Sequence, residues 1–193
     1  MAWQRRVVPA LLGVVLAALV AGCTGGGPEP AATTPPPVAE VTPTPTPTPI
    51  VKPERPAAMD EPTTDGAIAA ATYFMALYDY AFSARDAESL SMMSAETCKF
   101  CKYVGDSVAA LVVSGHTSVG PPVRVISAVS TEIRPDEWFT ARLQVAQDST
   151  QELAADGTVV SESEANLTDF VFALSWLGDS WRVEAVDLAV IEK

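Results

Sequence analysis

"FVFALSWLGDSWRVEAV", Phe170 to Val186, carries the period and the turn of a β-hairpin. Phe170, Phe172, Leu174 and Trp176 recur at every second position, the period that places one face of a strand against a core. Gly178 and Asp179 reverse the chain, and Trp181, Val183 and Ala185 repeat the alternation on the way back. Two antiparallel strands with one apolar face need further strands and a covering layer before they are stable.

Those strands lie upstream. "PPVRVISAVSTEI" alternates and is rich in β-branched residues, and "RPDE" (Arg134 to Glu137) turns the chain. "WFTARLQVAQDSTQEL" reads as one long strand. Asp156-Gly157 in "ADGT" is a hairpin signal suited to a type I′ turn. "VVSESEANLTDFVFALSWL" reads as the next strand and "SWRVEAVDLAVIEK" as the last. The expectation is a four-stranded antiparallel meander.

The covering layer precedes it. In "TTDGAIAAATYFMALYDYAFSARD", Ile68, Ala71, Met75, Tyr78 and Phe82 follow three- and four-residue steps. Ala67, Phe74, Leu77 and Ala81 widen that stripe. Thr63 or Thr64 is the N-cap, with Asp65 in the first turn. A short second helix is expected over Asp86 to Met93, capped by Asp86, with Leu90 and Met93 inward. A third runs from about Thr97 to Ser114, with Phe100, Cys101, Val104, Val108 and Leu111 on its stripe and Gly115 ending it. The fold class is therefore α+β: three helices, then a curved four-stranded antiparallel sheet.

This order resembles the cystatin-like cone of nuclear-transport-factor-two-like domains. "YFMALYDYAFSARDAESLSMMS" is similar to the first two helices of that fold, and "WLGDSWRVEAVDL" to its closing hairpin. The resemblance covers about Thr63 to Val190. Some cones of this kind are enzymes, such as ketosteroid isomerase, with an Asp base and a Tyr or protonated Asp as oxyanion donor. Tyr73, Tyr78, Asp79, Tyr80 and Asp169 are the residues of those types here, and no pair among them has a telling spacing. Tyr78, Asp79, Met75 and Phe172 are the candidate pocket residues, since they decide whether the cone is open or plugged. No catalytic set, metal site or cofactor is expected.

The N-terminus gives the address. "MAWQRR" is a short basic segment, and "VVPALLGVVLAALVAG" an apolar one too short for a confident span. "LVAGC" resembles the lipobox of bacterial lipoproteins, which implies cleavage before Cys23 and lipidation of its sulfur. An ordinary secretory signal or a retained anchor is the alternative. Residues 1–22 are then a signal peptide, 23–62 a lipidated and disordered linker, and 63–193 the domain. In the linker, "TPTPTPTP" (Thr42 to Pro49) favours polyproline II, and some 40 such residues reach ~100 Å. The chain carries net −12, and losing Arg5 and Arg6 with the signal leaves −14. No basic run follows, so nucleic acid is a poor partner.

A closer resemblance is to a family of actinobacterial lipoproteins known only as a domain of unknown function. They share a lipobox, a Pro/Thr linker, an "FxxxxYxYA" helix (here Phe74 to Ala81) and a "CxxC" opening a helix (here Cys98 and Cys101). That family implies an address and no activity.

With Cys23 assigned to lipid, Cys98 and Cys101 form an even pair in an oxidising compartment, which favours a disulfide. A thiol redox centre is the sharper alternative, because a cysteine at a helix N-terminus has a lowered pKa. Zinc lacks ligands: His116, expected in an exposed loop, is the only further soft ligand, and there is no second cysteine pair. Trp138 alternates with Thr140, Arg142 and Gln144 and is the candidate interaction surface. The leading expectation is a non-catalytic binding or interaction module on the outer face of the cytoplasmic membrane. It is anchored there through Cys23, with an envelope protein or a small molecule as partner.

Overall fold

A computed structural model describes residues 50–190. Cys23, the expected signal peptide and most of the expected linker lie outside them. The order is α1 (Thr64–Ala84), α2 (Glu88–Met92), α3 (Lys99–Ser114), β1 (Thr117–Val119), β2 (Arg124–Arg134), β3 (Trp138–Gln147), β4 (Thr150–Leu153), β5 (Val159–Ser163), β6 (Asn166–Trp176) and β7 (Trp181–Val190). The class is α+β with antiparallel sheets, but the described residues form two sheets rather than one. β2-β3-β6-β7 form the main sheet and β1-β4-β5 a smaller one.

The second sheet is a correction with a simple cause. Each long strand expected from the alternation breaks in two, at Asp148–Ser149 and at Glu164–Ala165. The outer halves bend away as the β4–β5 hairpin. β1, expected as loop, pairs with β4 through Thr117↔Leu153 and Val119↔Gln151. The hairpin turn also differs from type I′, which needs two positive φ values. Of its central pair only Gly157 has one, at 85°, while Asp156 accepts from the Thr158 N–H at 3.0 Å.

α1 starts as its sequence requires, with the Thr63 hydroxyl accepting from the Gly66 N–H at 3.0 Å. Its fully buried seam is Ala67, Ala70, Ala71, Phe74, Met75, Leu77 and Ala81, with Ile68, Tyr78 and Phe82 half-buried on the flank. The expected stripe is thus rotated toward the residues that widen it. α2 is shorter than expected, and Asp86 accepts from the Glu88 N–H at 2.9 Å. The packed unit begins upstream of residue 63, since Met59, in a 3₁₀ turn at Ala57–Asp60, is buried in the core. Gly66 lets that turn approach: a Cβ there would stand 2.2 Å from the Glu61 carbonyl oxygen.

The main core lies between α1, α3 and the inner face of the main sheet. Phe139, Leu143, Val145, Phe172, Leu174 and Val183 face the helices. Between Ala173 and Leu174 the β6–β7 register shifts, so Val183 pairs with Leu174 and Ala185 with Ala173, leaving Glu184 as the extra residue. The bulge turns Ala185 outward and Val186 inward, which the alternation alone had reversed.

The segment before α3 docks on β7. The Val183 N–H donates to the Met93 carbonyl at 2.8 Å, and the Ala95 N–H to the Val183 carbonyl at 2.9 Å. The Cys98–Cys101 disulfide follows directly, with Cα atoms 5.3 Å apart, and closes the first turn of α3. Both cysteines are buried in the core.

Candidate functional site

Core packing stops at the end of the domain where α1, α3 and the small sheet meet. The transition can be followed along a run of rings. Phe74 packs edge-on against Phe172 at 5.7 Å, and Phe100 edge-on against Phe170 at 5.8 Å. The Tyr78 ring stacks near-parallel on Phe100 at 6.3 Å and touches Phe82 at 5.0 Å. Beyond Tyr78 and Phe82 a cavity of about 370 Å³ opens, where Leu111, Pro121, Pro122 and Val123 share the lining with polar side chains.

Its walls are mixed. α1 supplies Tyr78, Asp79 and Phe82, and α3 supplies Tyr103 and Ser107. The remaining wall is the Gly120–Val123 link between β1 and β2, with Gln147 and the polar residues of the small sheet. Among the described residues no lysine or arginine lines the cavity.

Asp79 ties this end together. Both its carboxylate oxygens accept from the Val123 backbone N–H, at 3.1 and 3.3 Å, across a sequence separation of 44 residues. Burial pushes the carboxyl up to about 6, against the lowering effect of that N–H. The Tyr78 phenol is also held above its ordinary value, chiefly by burial. The Gln147 amide opposes the rise and Asp79 and Tyr103 add to it. A carboxyl that loses hydration without gaining a cation is the arrangement expected of a binding or catalytic group rather than a stabilising one.

A second polar set holds the small sheet. His116 Nδ1 lies 2.6 Å from Glu152 Oε1, and the Ser161 hydroxyl donates to Glu152 Oε2 at 3.3 Å. His116 is therefore half-buried and partnered, not the exposed loop histidine expected, because β1 exists and carries it onto β4. Gly120 packs against Thr150, where a Cβ would sit 2.6 Å from its methyl group.

Of the four candidate pocket residues, Tyr78 and Asp79 lie in the cavity wall. Met75 and Phe172 are fully buried in the core below it. Asp169 lies on the outer face of β6, 3.7 Å from Arg142 of β3. Trp138 is half-buried on the same outer face, with the Arg134 guanidinium 5.3 Å from its ring centre. The residues that sequence reasoning missed are Glu152 and the Gly120–Val123 link. Nothing in the local pattern marks them, because their role depends on the small sheet. Among the described residues no three of His, Cys, Asp and Glu gather as a metal-holding group. No helix of these residues is long and apolar enough to cross a membrane.

Residues 42–187 match the family of unknown function DUF6318. The chain belongs to this family. No curated protein is significantly similar to it. Among solved structures, the intermembrane-space region of the chloroplast protein ARC6 is similar at 12% identity and a TM-score of 0.48. That match covers 68% of this chain and 98% of the other. An uncharacterized Caulobacter vibrioides protein with a cystatin-like fold is similar at 12% identity and a TM-score of 0.43, covering 64% of this chain and 88% of its own.

Proposed function

We propose that this protein is a lipid-anchored, extracytoplasmic module that binds a small molecule at the open end of a cystatin-like cone, without turning it over. One observation carries the reading: a cavity of about 370 Å³ beside the main core, with a half-buried carboxylate and phenol in its wall. Ligand pockets of ~300–1,000 Å³ with a few placed polar groups are the ordinary form of such sites. The lipobox-like "LVAGC" and the Pro/Thr linker support display at the outer face of the cytoplasmic membrane.

Thiol redox finds less support. Cys98 and Cys101 are 1% and 5% exposed, and exchange needs an attacking thiolate to reach a sulfur. A protein-binding face at Trp138 is weakened in turn, because Arg134 already covers that ring.

The test is native mass spectrometry of the full chain purified from a membrane fraction, beside a Ser107→Trp variant whose indole fills the cavity. A retained small molecule in the parent and none in the variant is the expected result. A parent that retains nothing, and whose Tm no metabolite set shifts, overturns the pocket and returns attention to the outer sheet face. The anchor is tested separately: Cys23→Ala is expected to move the protein from the membrane fraction to the soluble one.

A further inference from the structure

We propose that the occupant of this cavity is an organic cation, an amine or quaternary ammonium group held by Asp79 against the rings of Tyr78 and Phe82. The inference rests on the pocket reading above and adds the ligand class. Three features of the walls select it. First, Asp79 has open acceptor capacity: a carboxylate offers about four lone-pair positions, and a single N–H, that of Val123, is shared between its two oxygens. Glu152, by contrast, has both oxygens engaged, by His116 and Ser161. Second, no lysine or arginine among the described residues lines the cavity, so an anionic ligand would meet like charge without compensation. Third, Tyr78 and Phe82 form a ring pair at 5.0 Å that ends in this space, and aromatic faces attract cations most strongly where water is displaced.

The three features are independent. The first concerns hydrogen-bond capacity, the second net charge and the third ring geometry. A neutral polyol would suit the serine and threonine hydroxyls, yet it would leave Asp79 without a counter-charge. The elevated titration of Asp79 points the same way, since a carboxyl lacking a cation is what a cationic guest would relieve.

The experiment is calorimetric titration of the full chain at pH 7.5 with three probes. These are choline, its neutral isostere 3,3-dimethylbutan-1-ol, and myo-inositol. Choline binding at least tenfold tighter than the isostere is expected. Asp79→Asn is expected to reduce that ratio to about one. Asp169→Asn, on the outer face of the main sheet and away from the cavity, is expected to leave it unchanged. Equal binding of choline and the isostere, or preference for inositol, overturns the cation while leaving a pocket in place. Failure of all three probes also counts against the cation, and the mass-spectrometric test then decides on the pocket by itself. Circular dichroism of both variants separates lost binding from lost folding.

Discussion

The two ends of this domain are built from the same helix and the same aromatic run, and they do opposite things. At the closed end, Phe74, Met75, Phe172, Leu174 and Val183 fill the space between α1, α3 and the sheet. At the open end, one and two turns further along α1, Tyr78, Asp79 and Phe82 border a cavity. The contrast separates where the fold carries its stability from where it gives some up. Closed-end residues remove apolar surface from water, at about 25 cal/mol per Å². Open-end residues hold a carboxyl in a place that disfavours its charge. A chain selected for stability alone would close that end.

The largest test of the contrast is a matched pair of truncations. Phe172→Ala is expected to cost about 3–5 kcal/mol, because a fully buried ring leaves a cavity that close-packed neighbours cannot fill. Phe82→Ala, at a half-buried position already beside open space, should cost less than half as much. Urea unfolding of both variants measures the gap. Equal losses would mean that the open end is packed like the core, and the contrast would be gone.

The closed end is the end that the sequence reveals. The alternation of Phe170, Phe172 and Leu174 and the seam of Phe74, Leu77 and Ala81 are local periodicities that report burial directly. The open end depends on events that local pattern does not encode. The apolar alternation lapses over the polar runs Gln147–Glu152 and Ser161–Glu164, but a polar run reads equally well as exposed strand, so the bends that create the small sheet are not marked as such. β1 is three residues long, too short for any periodicity to show. The contact that places Asp79 joins it to Val123, and only the folded chain brings the two together. Tyr78, on the expected stripe, and Asp79, just beside it, were legible, but Glu152 and the pairing of His116 were not, because β1 had to exist first. The bulge at Glu184 is a further case. It reverses Ala185 and Val186 through backbone register, which residue type alone does not show.

The next test concerns the staple between α2 and α3. The disulfide closes a loop of only four residues, so the chain-entropy effect is about 2 kcal/mol, near the low end of the range. Cys98→Ala with Cys101→Ala is expected to lower Tm by roughly 6–8 °C for a domain of this size and to leave the open end unaffected. Choline titration of the double variant checks the second half of that statement. A loss of binding with the fold retained would show that the start of α3 sets the position of Tyr103 and Ser107, and that the two ends are coupled.

The smallest effect is the most diagnostic, because it has the opposite sign to ordinary mutation. The Asp79 carboxyl titrates near its usual 3.8 when unfolded and at about 6 when folded. Between those values the folded state binds more protons than the unfolded one. Stability from this group is therefore fully present below about pH 4 and is lost as pH rises through about 6. Asp79→Asn keeps an oxygen for the Val123 N–H and removes the charge. Stability at pH 7.5 should rise by about 1–2 kcal/mol, a figure already reduced for the solvent that screens a half-buried group. The gain should vanish toward pH 4. Tyr78 on the same helix, Tyr103 on α3 and Glu152 on β4 are the other titratable groups in the cavity wall. The parent-minus-variant difference isolates Asp79 from Glu152, and burial holds the Tyr78 phenol above its ordinary value, outside this window. Chemical unfolding of the two chains at pH 4, 6 and 7.5 gives the curve. A variant less stable than its parent at pH 7.5 would place Asp79 among the groups that hold the fold together, and would remove the reason for reading the open end as a site.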